Sequence, residues 1–344
     1  MNINEKSNYE AWQIQVNDFS RLSTVRERML FLVGFAILAP SSHNSQPWHF
    51  VITDSEIVLR PDFSRALPVS DASNRHLYFA LGCALENLLV AADYYGLRFR
   101  VEYFSEGDDV ARISFMDKEE HSLKDPNGHL ISFIPKRLMN RTPYEKRPLA
   151  PAFLELVRRL SSSTLELRII SDEVQKNAIT AALLDFRYRA FDDPSFRAEL
   201  SSYKRTNITR SFLGMPGFTM GFNTPLSLIA PWMIRHMNVM KLIGKTDRKV
   251  LRENTPVFII AGTYKDEKLD WVRSGQVAER MMLEAGRHGL AVAASALPHN
   301  PEAFANIFEP SFYPQLFFRV GYTKHTPGHS PRLAAEDVST IISS

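Results

Sequence analysis

GCALENLLVAADYYGL, residues 82–97, is matched at the same offsets by GQVAERMMLEAGRHGL, residues 275–290. Gly82 and Gly275, Glu86 and Glu279, Ala92 and Ala285, then Gly96-Leu97 and Gly289-Leu290 coincide. In the first copy Leu81, Ala84, Leu85, Leu88, Leu89 and Ala92 recur at the i, i+3, i+4, i+7 spacing that lays apolar side chains along one helical face. Val277, Ala278, Met281, Met282 and Ala285 fill the same stripe in the second copy. Each helix closes on a glycine, the residue that most readily takes the left-handed turn beyond a helix end.

The flanks extend the repeat. A β-rich run stands before each helix, Trp48–Thr53 in one case and Pro256–Ala261 in the other. Two more follow each: Leu97–Phe104 and Ala111–Phe115 after the first, Leu290–Leu297 and Gln315–Gly321 after the second. Each half therefore reads strand, long helix, strand, strand. Such an order predicts an α+β fold with mixed sheets flanked by helices, used twice. The two halves, residues 1–130 and 131–344, would pack their central helices together as a homodimer does. The chain reads as a pseudo-twofold dimer fused into one polypeptide, competent as a monomer.

Composition sets the class. An apolar share of 44% and a charged share of 23% over 344 residues are those of a globular protein with a substantial core. A net charge of +3 gives no global reason to expect nucleic acid or an anionic membrane. The single cysteine, Cys83, excludes an intramolecular disulfide and fits a reducing compartment. MNINEKSNYEAW lacks a signal pattern, and the longest apolar run, Met29–Ala39, is too short to span a bilayer. A cytoplasmic protein is the expectation. No His, Cys, Asp or Glu cluster has metal-ligand spacing, so no metal is expected.

Three stretches stand outside the repeat. LAPSSHNSQPWHFVI, residues 38–52, sets Ser41, Ser42, His43, Asn44 and Gln46 between Pro40 and Pro47, at the mouth of a strand. A Ser/Asn-rich turn is the plain reading. The alternative is a loop whose amides and hydroxyls pair a ligand's polar edge. IPKRLMNRTPYEKRPLA, residues 134–150, carries five basic residues between Lys136 and Arg147 against one acid, Glu145. It is either a solvated linker or an anion site. In the second case Arg141 and Thr142 would hold phosphate oxygens, ahead of a helix beginning near Pro151. Ser201–Lys249 has no counterpart in the first half. Within it residues 211–244 hold five of the eleven methionines, interrupted by Gly and Pro. That segment is a packed insertion or a lid.

The loop resembles the flavin-contacting P-S-S-x-N-x-Q-P-W motif of the FMN-dependent nitroreductase superfamily. RTPYEKRPL is similar to the arginine-rich opening of those domains, and PQLFFRVGY with HSPRLAAEDV to their closing strand. The tandem layout looks most like the mycobacterial Acg-type branch. In that family one subunit supplies arginines to the flavin phosphate and the other supplies the Pro-Ser-Ser loop to the ring. Here each motif occurs once, so the resemblance implies one FMN per chain. It implies Pro40, Ser41, Ser42, Asn44 and Gln46 at the ring, and Arg137, Arg141, Thr142, Arg147 and Arg332 toward the phosphate. Lys249 matches a lysine that approaches the flavin. His43, the variable position of the motif, reads as surface or site-lining. The implied activity is ping-pong hydride transfer from NAD(P)H to electron-poor acceptors such as nitroaromatics or quinones. The flavin carries the chemistry, so no side chain is assigned as catalytic. A catalytically weak flavin store closed by the lid is the competing expectation.

Overall fold

A computed structural model describes residues 7–116, 130–297, 304 and 307–342. The first six residues and the stretch 117–129, at the expected junction of the halves, lie outside it.

The first sheet has the strand order β11-β1-β2-β4-β3, from β1 (Trp48–Ile52), β2 (Glu56–Pro61), β3 (Phe99–Tyr103), β4 (Ala111–Phe115) and β11 (Ser339–Ile341). Helices α1 (Val25–Ala36) and α2 (Arg75–Tyr94) cover it. Helix α1 starts where Thr24 and Glu27 cap each other reciprocally and ends ahead of Pro40. The second sheet runs β5-β8-β10-β9, from β5 (Leu165–Ile170), β8 (Val257–Thr263), β9 (Ala291–Ala296) and β10 (Tyr313–Gly321). Every residue of β8 is buried. Its alternating side chains serve two cores: Val257, Ile259 and Ala261 face α3 (Pro151–Arg159) and α8 (Lys268–Arg287). Phe258 and Ile260 face α4 (Glu173–Asp192) and α7 (Met240–Glu253).

The repeat helices α2 and α8 pack on each other at their repeat glycines. A β-carbon on Gly82 would stand 2.0 Å from the Val272 carbonyl oxygen, and one on Gly275 would stand 2.2 Å from that of Phe79. The two glycine Cα atoms lie at the crossing, each 3.0 Å from where the other's β-carbon would be. Their ends also match. Leu97 N–H reaches the Ala92 carbonyl at 3.0 Å and Leu290 N–H the Ala285 carbonyl at 2.8 Å, with Gly96 and Gly289 at φ of 66° and 68°. By length and composition α2 could cross a membrane, but it is the buried core helix of the molecule.

Strand correspondence differs from the sequence reading. The counterpart of β8 is β2, not β1: in the matching orders β1-β2-β4-β3 and β5-β8-β10-β9 each stands second, and each pairs antiparallel with the strand after next, β4 or β10. Strand β5 answers to β1. Thr53–Ser55 joins β1 to β2, whereas 171–256 joins β5 to β8. The whole insertion therefore replaces one hairpin turn and begins earlier than Ser201. It contains α4, α5 (Pro194–Ser202), the two-residue strands β6 (Lys204–Arg205) and β7 (Met215–Pro216), α6 (Thr224–His236) and α7. Strand β11 crosses back to pair parallel with β1, Phe50 opposite Ser339, so the C-terminal tail of the second half completes the first sheet.

Candidate functional site

The polar loop 40–47 is the point where three distant segments are tied. His43, Asn44 and Gln46 all take left-handed backbone angles, φ of 54°, 56° and 55°, which costs energy for residues other than glycine and needs support from outside. The Asn44 amide provides it. Its Nδ2 donates to the carbonyls of Gly214 (3.0 Å) and Pro331 (2.9 Å), and its Oδ1 accepts from Arg332 at 2.5 Å. Gln46 is fully buried; its Nε2 donates to the Phe212 carbonyl and its Oε1 accepts from Leu333 N–H. Arg332 donates further to the carbonyls of Ala39 and Leu38. Loop, insertion and tail are thereby sewn together.

Beside this junction lies a cavity of about 360 Å³ between the halves, inside the range of roughly 300–1,000 Å³ typical of small-molecule sites. One wall is apolar: Phe79, Ala80 and Cys83 from α2, Ala278 and Met282 from α8, and Phe318 from β10. The insertion closes it with Phe186, Phe191, Phe196 and Met215. The polar lining includes Ser41, Ser42, His43 and four arginines, Arg137, Arg141, Arg187 and Arg332, and no carboxylate among the described residues.

The arginines differ in their compensation. Arg137 pairs with the buried Glu279, Nε to Oε1 3.0 Å, and donates to the Leu38 carbonyl. Burial pushes Glu279 up to about 7 against the pull of Arg137. Arg187 pairs with Asp247 and donates to the Ser295 hydroxyl at 3.0 Å. Arg332 is buried with no acidic partner within ion-pair distance and no acceptor for its Nε among the described residues. Arg141 also has no acidic partner among the described residues. It is enclosed by protein, yet its side chain keeps open surface, because that surface faces the cavity. Burial first, then Arg319 and Arg187, holds its pKa below the usual arginine range. Nearby, burial and Arg141 bring Lys204 down to about 7; its Nζ sits 2.8 Å from the Met220 sulfur. A cavity with this excess of positive charge is built for an anion.

Pro40, Ser41, Ser42, Asn44, Arg137, Arg141 and Arg332 thus converge, whereas four candidates do not. Gln46 lies behind the loop. The Thr142 hydroxyl is taken by Asn140 Oδ1 at 2.7 Å. Arg147 stacks on Tyr322, 3.5 Å from the ring centre, and Lys249 projects from the exposed side of α7. No residue of α3 lines the cavity, so the expected contribution of that helix start is absent from it. Sequence reasoning missed Arg187 and Phe186, which sit in a segment without repeat or motif, and His329, which opens the quoted HSPRLAAEDV stretch but was not singled out in it. His329 stacks on Trp12 with ring centres 3.9 Å apart. Burial, then Arg137 and Arg332, lowers it to about 4.

His43 lines the cavity with Nε2 3.4 Å from the Ser70 hydroxyl, and burial lowers its pKa from 6.5 to about 3, aided by Lys204. The folded protein keeps this imidazole neutral while the unfolded chain protonates it below pH 6.5. Stability from this group is present above pH 6.5 and is lost as the pH falls toward 3. His43→Asn, which retains tolerance of the left-handed backbone, is expected to flatten the urea-midpoint profile between pH 6.5 and 4. An unchanged profile would show that His43 is already charged in the fold.

Fold and cavity define a tandem α+β protein with one cationic cleft formed by both halves. Similar proteins are known over nearly the whole length. The chain is 25% identical over 320 residues to the Mycobacterium tuberculosis H37Rv protein named "Putative NAD(P)H nitroreductase acg", covering 89% of this chain and 93% of that one. It is 26% identical over 326 residues to Rv3131 of the same strain, which carries the same activity name, covering 92% and 91%. No family profile matches. Among solved structures, the FMN and NADPH-dependent nitroreductase NfnB of Sphigopyxis sp. strain HMH is 16% identical with a TM-score of 0.40, over 61% of this chain and 96% of that one. A nitroreductase with bound FMN from Bacteroides fragilis is 11% identical with a TM-score of 0.35, over 57% and 88%. Over nearly its whole length the chain is thus similar to mycobacterial proteins named as NAD(P)H nitroreductases.

Proposed function

We propose that the chain is an FMN-dependent NAD(P)H oxidoreductase with one flavin per chain, built from two nitroreductase-like halves, 1–130 and 131–344. The observation that carries this reading is the inter-half cavity, with four arginines, no carboxylate among its described residues and a flat apolar wall. A phosphate dianion answers the uncompensated charge of Arg141, with Arg187 beside it, and an aromatic ring system answers the wall of Phe79, Ala278, Met282 and Phe318. The names of the Acg-type relatives support the electron donor. Bound FMN would supply two-electron hydride chemistry, which needs no nucleophile or acid–base pair from the chain. The chain's part is to bind and orient. Ser41 and Ser42 offer hydroxyls to the polar edge of the ring, Arg332 and Arg137 set a positive field beside it, and the insertion excludes water. The acceptors that fit are flat and electron-poor, nitroaromatics or quinones.

Arg141→Ala is expected to weaken FMN by about 1.5–3 kcal/mol, the loss of a charge-assisted hydrogen bond, and to reduce the salt dependence of what remains. Riboflavin, which lacks the phosphate, should bind the variant and the parent alike. Equal weakening of both flavins, measured by titration, would remove Arg141 from the phosphate site.

One observation favours a second reading, a flavin store. The insertion is bonded across the loop through Asn44–Gly214 and Gln46–Phe212, which holds the cavity's cover in place. Anaerobic addition of NADH or NADPH separates the two: bleaching of the oxidised flavin band supports the reductase, and an unbleached band with FMN bound supports the store.

A further inference from the structure

The insertion carries a second feature, on its outer surface. Helix α6 packs inward through Ser227, Ala230 and Ile234. Its opposite stripe is also apolar: Leu228, Ile229 and Trp232 are 54%, 53% and 62% exposed. Offsets of one and four residues place the three side by side on one helical face. No charged residue occurs from Thr224 to Ile234. A surface helix of a soluble protein normally turns polar residues outward, and a contiguous exposed apolar patch marks an interaction site. Helix α7 follows after three residues and repeats the arrangement. Met240, Gly244 and Leu251 face inward, Gly244 directly against Tyr188, while Leu242 and Ile243 are exposed.

The charge around these apolar residues is predominantly positive. From Thr224 to Glu253 the chain has six Lys or Arg residues and two acids, Glu253 at the end of α7 and Asp247, which is engaged by Arg187. Asp192 adds an acid at the link between the helices, where it accepts from Asn238. Arg235, Lys241, Lys245, Arg248, Lys249 and Arg252 are all exposed and have no acidic partner among the described residues. Exposed tryptophan and aliphatic side chains beside unpaired lysines and arginines are the composition that seats a helix in the headgroup region of an anionic bilayer. A second copy of the chain fits less well, because a twofold contact would set this positive face against itself.

We propose that α6 and α7 form a peripheral docking face for anionic lipid membranes, with Leu228, Ile229, Trp232, Leu242 and Ile243 entering the interface and the surrounding lysines and arginines meeting lipid phosphates. This is a surface attachment, and the global charge that gave no expectation of a membrane does not register it because acids elsewhere offset the local excess.

The test is co-sedimentation of the flavin-loaded, full-length protein with vesicles of phosphatidylcholine alone or mixed with phosphatidylglycerol. Binding is expected to the mixed vesicles only, to weaken with salt, and to shift Trp232 emission to shorter wavelength. At roughly fivefold per basic residue, Lys241→Gln/Lys245→Gln/Lys249→Gln should weaken it about a hundredfold. Ile229→Ser/Trp232→Ser should abolish it, with flavin content and thermal unfolding unchanged in both variants because the substituted groups are exposed. Absence of binding to phosphatidylglycerol vesicles, equal binding to phosphatidylcholine, or binding indifferent to both sets of substitutions would overturn the proposal. A dimer dissolved by Ile229→Ser/Trp232→Ser, without vesicle binding, would also overturn it and assign the face to self-association.

Discussion

Gly82→Ala is expected to destabilise the protein by at least about 3 kcal/mol, at the upper end of what overpacking a close-packed core costs. The added β-carbon would sit 2.0 Å from the Val272 carbonyl oxygen. That neighbour is helix backbone, so relief requires α2 and α8 to move apart along the contact that joins the halves. Gly275→Ala should behave alike, meeting the Phe79 carbonyl at 2.2 Å. Gly286→Ala, on the same α8, is the internal control. Its β-carbon would make only an ordinary contact with Phe133 at 3.5 Å, so the substitution should be neutral or stabilise by up to about 1 kcal/mol through helix propensity. Urea denaturation of the three variants reads these signs. A Gly82→Ala variant within about 0.5 kcal/mol of the parent would mean that the crossing has slack.

Asn44→Ala should cost at least about 3 kcal/mol even without flavin. The Gly214 carbonyl and the Arg332 guanidinium would each lose a buried partner, at about 1–3 kcal/mol apiece. Alanine would also occupy a left-handed conformation at φ of 56°, adding roughly 1–2 kcal/mol. Riboflavin and FMN should weaken together, because the loop that lines their cavity loosens. Unchanged stability of the flavin-free protein, with only flavin affinity lost, would instead place the Asn44 amide against the ligand.

These two residues show what a sequence can and cannot display. The meeting of the two repeat helices was legible because a repeat at fixed offset, with helical periodicity on both copies, marks them as equivalent. That they cross at Gly82 and Gly275 was not, since the repeat matches Glu86 with Glu279 and Ala92 with Ala285 equally well. Asn44 was legible as part of an unusual polar loop, but its partners were not. Gly214 and Pro331 lie 170 and 287 residues away, and a side chain able to pair a ligand edge can equally pair two carbonyls. Periodicity also left the strand equivalences open. β1 and β2 are both short apolar runs ahead of α2, and only pairing shows that β2 matches β8 and that the insertion stands in for a hairpin turn. Arg187 carries no signal, since an arginine on an amphipathic helix is the ordinary solvent-facing residue until the helix is placed over a cavity. Lys249 was picked by likeness to a local motif, and α7 turns it outward because Met240, Gly244 and Leu251 occupy the packed side.

The central claim is that the two halves make a single flavin site. Its most direct test is the flavin content of the purified protein: the cofactor is released by denaturation, identified, and counted against protein concentration, with the mass of the flavin-loaded species taken from light scattering. One FMN per 344-residue chain, retained by the monomer, is the predicted result. Two flavins per chain, FAD in place of FMN, or flavin held only by dimers would contradict it.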